Sequence, residues 1–403
     1  MKPLEIFFWI ALFVIFYSYL GYGMLLFVII KLRRFFKIGQ NKPTKANYEP
    51  EVTLFVTAFN EKDFVKKKVE NSRSLDYPAE KVRQIWVTDG SDDGTPDLLR
   101  KYDDIEVYHS PERNGKIAAM NRGMQFVDSP IVIFSDANTD LGKQSIREIV
   151  KLFARDKVGC VSGEKRIYNK SADAAAGAGE GLYWKYESQL KKWDAEWYSV
   201  VGAAGELFAI RTDLWQEVEP DTLLDDFIIS LRVAMSGYTI QYNPEAYAIE
   251  SASANVKEEL KRKIRISAGG LQSVWRLRSL LNVLKYGTLS FQYISHRVLR
   301  WTLTPLLLLL IIPANLMLAM EEGLFSGGIY GLLFWAQMYF YVLALTGWVL
   351  ERKAIRLKVL FVPYYFFIMN LSVYLGFMRY IKGNQSVKWE RAKRGEFQQT
   401  AEA

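Results

Sequence analysis

The chain has 403 residues, 50% of them hydrophobic, with 52 Lys and Arg against 44 Asp and Glu for a formal charge of +8. One cysteine, Cys160, excludes a disulfide framework and a cysteine-built zinc site, and His109 and His296 are too few for a histidine metal cluster. Chemistry therefore rests on Asp, Glu, Lys and Arg, and a positive excess that gathers beside apolar runs, as at Lys31, Arg33, Arg34 and Lys37, points to lipid headgroups rather than nucleic acid.

Residues 7–30 carry no charge and are rich in Phe, Leu and Ile. At about 1.5 Å per helical residue they reach across a hydrocarbon core. The run is longer than the apolar part of a signal peptide and shows no clear cleavage site, so residues 1–37 are expected to be a retained anchor. The basic stretch after it places the N-terminus outside and residue 31 in the cytoplasm. Residues 38–50, polar with two prolines, read as a linker.

An α/β domain is expected over 51–255. Val52–Thr57 is a strand that ends in Ala58-Phe59-Asn60-Glu61, with a helix pattern from 62 to 75. Gln84–Thr88 is a buried strand running into Asp89-Gly90-Ser91-Asp92-Asp93-Gly94-Thr95. A short helix near 95–102, a strand at 105–109, a helix at 115–126 and a buried strand at 131–135 follow. This alternation predicts a doubly wound, mostly parallel sheet. Further on, 159–166 reads as a strand, 172–194 as helical and 200–210 as a strand or close-packed loop. A helix at 222–236 and a strand at 239–247 complete the domain.

From residue 257 the pattern becomes a basic amphipathic helix with Lys261, Arg262, Lys263, Arg265, Arg276 and Arg278 among Ile264, Leu271, Val274 and Trp275. Residues 256–298 are therefore expected at the membrane surface. Within 299–380, three runs (301–320, 324–350 and 359–378) are long enough to cross. Glu321 and Glu322 fall in a short outside loop, and the basic stretch 351–358 falls inside. Three crossings would leave the basic tail, 381–403, outside, against the charge rule. Either the last run is interfacial or re-entrant, or the tail breaks that rule.

Acidic residues recur at strand ends: Asp89, Asp136 and the pair Asp225-Asp226. Carboxylates converging on one edge of a parallel sheet suit a divalent metal and a nucleotide phosphate. Asp136-Ala137-Asn138 places a carboxylate and an amide on one side of a turn, both hard oxygen ligands. Lys116 opens a helix, where an ammonium and backbone amides favour phosphate. Arg262 and Arg265 share a helix face and match phosphate oxygens. Asp226 follows Leu223-Leu224, where burial raises a carboxyl toward the range of a general base. On the residues alone, each also reads as a turn, cap or surface charge.

Together these pieces resemble the membrane-embedded family 2 glycosyltransferases, the group of cellulose, chitin and hyaluronan synthases. The likeness covers roughly residues 50–275. It is carried by Thr57-Ala58-Phe59-Asn60-Glu61, by Asp89 in its Gly-rich loop, by Asn114-Gly115-Lys116-Ile117-Ala118-Ala119-Met120-Asn121, by Asp136-Ala137-Asn138 at the Asp-x-Asp position, by Gly202-Ala203-Ala204-Gly205-Glu206 and by Asp225-Asp226 at the Glu-Asp position. The resemblance implies a cytoplasmic GT-A-like domain. Thr57, Ala58, Glu61, Asp89, Lys116, Asp136, Arg262 and Arg265 would bind the donor, and Asp136 and Asn138 a divalent metal, Mg²⁺ or Mn²⁺. Gly202, Ala203, Gly205 and Asp225 would lie on the acceptor side, with Asp226 as base. Two departures stand out. Asn138 replaces the second Asp, and Arg262-Lys263-Ile264-Arg265-Ile266 lacks the Gln and Trp of the processive Gln-x-x-Arg-Trp motif.

The expected activity is inverting transfer from a nucleotide sugar, UDP-linked, to a growing polysaccharide or lipid-linked acceptor at the cytoplasmic face of the cell membrane. Membrane lipid is an expected partner, nucleic acid is not, and an export partner is compatible with the anchor. The alternatives are a non-processive polyprenyl-phosphate or lipid glycosyltransferase, and a non-catalytic membrane subunit that keeps the fold.

Overall fold

The computed structural model describes residues 2–37, 48–168, 175–251, 256–352 and 358–383. Most of the expected linker 38–50, the middle of the basic stretch 351–358 and the tail beyond residue 383 lie outside them.

Eight strands form one sheet: β1 (Val52–Ala58), β2 (Val82–Asp89), β3 (Glu106–Ser110), β4 (Ile131–Asp136), β5 (Asp140–Leu141), β6 (Val158–Tyr168), β7 (Leu207–Arg211) and β8 (Thr239–Ser251). Their order is β3-β2-β1-β4-β7-β6-β8-β5. The half built from β1 to β4 is parallel, as the strand–helix alternation predicts. The other half is mixed, because β7 runs antiparallel to both β4 and β6. The sheet is thus an α/β sheet of two characters, and β7 is the seam between them.

Strand β1 is buried along its whole length, so both of its faces must be covered. Val52, Leu54 and Val56 pack with Val65 and Val69 of α2 (Lys62–Arg73) on one face. Phe55 packs with Ile117 and Met120 on the other. Short α3 (Thr95–Leu99) follows β2, and α4 (Lys116–Met124) carries Ile117 and Met120. Helix α5 (Ser145–Phe153) joins the α2 face through Ile146, Ile149, Val150 and Phe153, spaced at the helical period. Long α6 (Ala175–Trp197) and α7 (Asp225–Met235) follow, and α7 is buried on the α4 face.

Among the described residues, three helices are long and apolar enough to cross a membrane: α1 (Pro3–Phe35) and two segments after the sheet domain. Helix α8 (Val256–Arg276) leads through short turns to α9 (Thr288–Tyr293). Helices α10 (Leu303–Glu322) and α11 (Ile329–Arg352) provide the other two spans. Helix α12 (Lys358–Ile381) is as long but is not among the three. It carries Asn370 and Ser372, both buried, and its Gly376 abuts Ile264, Ser267 and Ala268 of α8.

A buried polar knot ties α1 to the sheet domain. Tyr22 Oη donates to Asp194 Oδ1 at 2.5 Å. Gln292 Nε2 reaches the same oxygen at 3.0 Å, and His296 Nδ1 lies 2.6 Å from Asp194 Oδ2. The other ring nitrogen of His296 lies 3.1 Å from Glu187 Oε1, which Arg297 also approaches at 2.7 Å. Burial disfavours the Glu187 carboxylate, yet Arg297 and His296 outweigh it and hold its pKa well below the usual range.

Candidate active site

The site sits where the parallel half turns back on itself. Strands β2 and β4 flank β1, and the order 3-2-1-4 opens a crevice at their carboxyl ends. The register sets Thr57 beside Val87 and Asp136, and Ala58 beside Thr88. Three separate sequence positions, Thr57, Asp89 and Asp136, thus come to one edge.

Asp89 closes β2. Its Oδ2 accepts the backbone N–H groups of Asn114 at 2.9 Å and Gly115 at 2.6 Å, so it shapes the entry to α4. Its Oδ1 is buried without a hydrogen bond to any described residue and stands 3.6 Å from Arg122 Nη1. Gly90 follows at φ +67°, where a side chain would also strike Arg113. Arg113 stacks on the ring of Phe59, 3.8 Å from its centroid. Thr57, Phe59, Asp89, Arg113, Gly115 and Lys116 line a small pocket between these loops. Asp92 and Asp93 instead lace the loops together, accepting from Asn60 Nδ2 and from the Lys62 and Thr95 N–H groups. Glu61 is buried at the head of α2, where its N–H donates to Thr95 Oγ1.

Lys116 joins the donor edge to α7. Its Nζ lies 2.9 Å from Asp136 Oδ1 and 3.3 Å from Asp225 Oδ2. Burial opposes the ammonium, but Asp136 and Asp225 prevail and raise its pKa above the ordinary lysine value. Below the same turn lies Lys68, buried among Ser135 Oγ at 2.7 Å and Thr139 O at 2.8 Å. Burial lowers its pKa to about 7, against the pull of Asp136 and Asp140. Asn138 sits in the turn that Lys68 braces.

No group of three or more His, Cys, Asp or Glu side chains that could hold a metal occurs among the described residues. Asp136 and Asn138 nevertheless offer hard oxygens, and a cationic group already rests between Asp136 and Asp225. These residues fit a divalent ion that completes its shell with water and substrate phosphate, the usual habit of Mg²⁺.

Asp226 follows Asp225 on the first turn of α7. Burial first, then the neighbouring Asp225, pushes its carboxyl up to about 7, while Lys116 pulls the other way. Gly205 faces it so closely that a Cβ there would lie 3.1 Å from Asp226 Oδ2. Gly202 has φ +88°, and a side chain there would enter the Phe227 ring. The Ala203 N–H is fixed by Ser230 Oγ at 3.0 Å. The small-residue segment therefore lies against the start of α7, leaving room beside Asp226.

The two arginines part company. Arg262 is engaged by Glu259, with both pairs at 3.0 Å, and is held charged near Glu206 and Glu250. Arg265, one turn further on, makes no ion pair or hydrogen bond with a described residue. Sequence reasoning overlooked Lys68, the Phe59–Arg113 stack and Lys165, which is buried between Glu206 and Glu250. Lys68 belongs to the run Lys66-Lys67-Lys68, and only its spacing to Val65 and Val69 marks it as inward-facing.

The family model for glycosyl transferase family 2 matches residues 53–218. A probable glycosyltransferase, YdaM, of Bacillus subtilis (strain 168) is 25% identical over 233 residues, 55% of each chain. The beta-monoglucosyldiacylglycerol synthase of Trichormus variabilis is 28% identical over 212 residues, 48% of this chain and 43% of that one. The poly-beta-1,6-N-acetyl-D-glucosamine synthase of Staphylococcus aureus is 25% identical over 236 residues, 56% of each. The chain thus spans about half the length of the curated relatives it matches. The solved mannosyltransferase PcManGT of Pyrobaculum calidifontis, in complex with GDP-Man and Mn²⁺, superposes with a TM-score of 0.70 at 20% identity. That alignment covers 94% of this chain and 100% of the other, and it shows a shared GT-A fold.

Proposed function

We propose that this protein, whose residues 53–218 match the glycosyl transferase family 2 model, is an inverting glycosyltransferase of a membrane surface, with its active site on the cytoplasmic side. The observation that carries the reading is the Lys116–Asp136–Asp225 bridge beside Asp226, at the switch point of the sheet. The donor is a nucleotide sugar, with UDP as the nucleotide. Its base and ribose enter the pocket between Thr57, Ala58, Phe59 and Arg113, and Asp89 Oδ1 is the buried acceptor that a base N–H would meet. Asp136 and Asn138 would hold a divalent ion, which when bound would supply positive charge opposite the diphosphate.

Asp226 takes the proton of an acceptor hydroxyl as that oxygen bonds the anomeric carbon. The bond from that carbon to the diphosphate breaks on the opposite face, which inverts the centre. Lys116 and Arg265 draw the departing charge. Replacing Asp226 by Asn should lower transfer by about a thousandfold, in the range of a lost general base, and leave nucleotide binding intact. Full transfer by that variant, measured with labelled sugar nucleotides, overturns the assignment. The donor panel should include GDP-mannose beside UDP-sugars, since the structural neighbour is named with GDP-Man.

The acceptor is a growing glycan or a lipid-linked one. Favouring a lipid, α8 supports the turn that carries the base. Gln272 Nε2 donates to Asp221 O and Gln272 Oε1 accepts the Leu223 N–H, while Trp275, just beyond, is 65% exposed. The residue after Arg265 is Ile266, not the Trp of chain-building relatives. A single sugar on an extractable lipid supports this branch, and a ladder of lengthening products supports the polymer branch. A non-catalytic subunit would show no metal-dependent nucleotide binding by calorimetry.

A further inference from the structure

Lys116 holds the place a metal would take. Its ammonium lies within contact distance of both Asp136 Oδ1 and Asp225 Oδ2. A divalent ion on Asp136 needs a metal–oxygen distance near 2.1 Å, and an ammonium 2.9 Å from Asp136 Oδ1 opposes it by charge and by room. The backbone at Lys116 cannot easily retreat. Asp89 Oδ2 grips the Gly115 N–H at 2.6 Å, and Ile117 and Met120 are locked into the core. The long side chain can swing, and a diphosphate is the anion it would follow. The neutral Asn138 adds no charge that would pull a metal in unaided.

We propose that Lys116 is a built-in counter-cation that keeps divalent metal off the Asp136 carboxylate until a nucleoside diphosphate arrives. The diphosphate draws the ammonium onto its own oxygens, vacates the carboxylates and supplies the metal's remaining ligands. Metal therefore binds with the nucleotide or after it, not ahead of it. The inference rests on reading the crevice as a nucleotide-sugar site and adds the order of loading.

The test follows free Mn²⁺ by its solution paramagnetic resonance signal, on the full chain in detergent. Wild type should bind Mn²⁺ weakly alone and roughly tenfold or more tightly with UDP or GDP, as expected for a like-charge neighbour that leaves a low-dielectric site. K116M should bind Mn²⁺ tightly without nucleotide, K116R should stay weak, and D136N in the K116M background should abolish the gain. If K116M does not fold, the wild-type comparison still decides, because Mn²⁺ binding equally tight with and without nucleotide overturns the inference. K116M binding Mn²⁺ no better than wild type, while nucleotide still promotes binding, also overturns it and leaves the nucleotide-site reading standing. Failure of both UDP and GDP to bind, with or without Mn²⁺, removes that reading as well.

Discussion

Asp226 should write its signature into the pH profile. A base acts deprotonated, and burial and Asp225 have pushed this carboxyl up to about 7. The kcat/KM for transfer should therefore climb with pH through about 7 and level off above it; a profile already flat from pH 6 upward would remove Asp226 from this role. Lys68 gives the second titration, read in stability rather than rate. Its ammonium form is favoured in the unfolded chain, at the ordinary 10.5, over the folded one, at about 7. Between those values the unfolded state binds more protons, so stability rises as pH increases through that window. Thermal unfolding should show this rise in wild type and lose it in K68M, and equal slopes for the two would place the effect elsewhere. Asp89 and Asp136 were legible in the sequence because a carboxylate at the end of an apolar strand is a local pattern, whereas Asp225 and Asp226, expected at a strand end, stand on the first turn of a helix. Lys68, Lys165 and Arg113 were not legible, since their meaning depends on partners 41 to 85 positions away that only the sheet order brings near.

At the level of elements, the parallel half was readable from its strand–helix alternation, and the mixed half was not. Strand β7 reads locally like any short apolar run, and nothing in Leu207–Arg211 announces that it will run antiparallel to β4. Helix α5 has no counterpart in the chain-order reading, although Ile146, Ile149, Val150 and Phe153 spell its buried face. The end of α8 and the turns after it present a mixed surface. Trp275, Leu281, Val283 and Leu284 are exposed, Leu284 fully, beside Arg278 and Lys285. That mixture of apolar and basic groups suits an anionic lipid surface. A spin label at Leu284→Cys should be accessible to oxygen and shielded from a water-soluble relaxant in anionic nanodiscs. The single native cysteine, Cys160, is buried and should not compete for the label. Greater access to the aqueous relaxant than to oxygen would put this segment in water.

For the molecule as a whole, the long apolar helices and the sheet domain are not separable parts. Ser18 and Thr304 share a hydrogen bond at 2.7 Å, and Lys2 pairs with Glu321 at 2.7 Å, so α1 and α10 are matched along their length. The knot around Asp194 gathers buried charged groups away from the candidate site. Removing that carboxylate strands His296 and Gln292, and Asp194→Ala should cost about 3–5 kcal/mol, as for one partner lost from a buried pair. Chemical denaturation in detergent would measure it, and a loss below about 1 kcal/mol would show that water can replace the carboxylate.

The same hydroxyl of Tyr22 that caps Asp194 bears on how this chain can be dissected or recombined. A fragment starting after the anchor would lose that cap and open a wholly buried face to solvent. A borrowed span of equal hydrophobicity would restore tethering but not the phenol. Anchor and catalyst must therefore be exchanged as a pair, and chimaeras of relatives should tolerate junctions in the linker only when both sides of the Tyr22–Asp194 contact come from one parent.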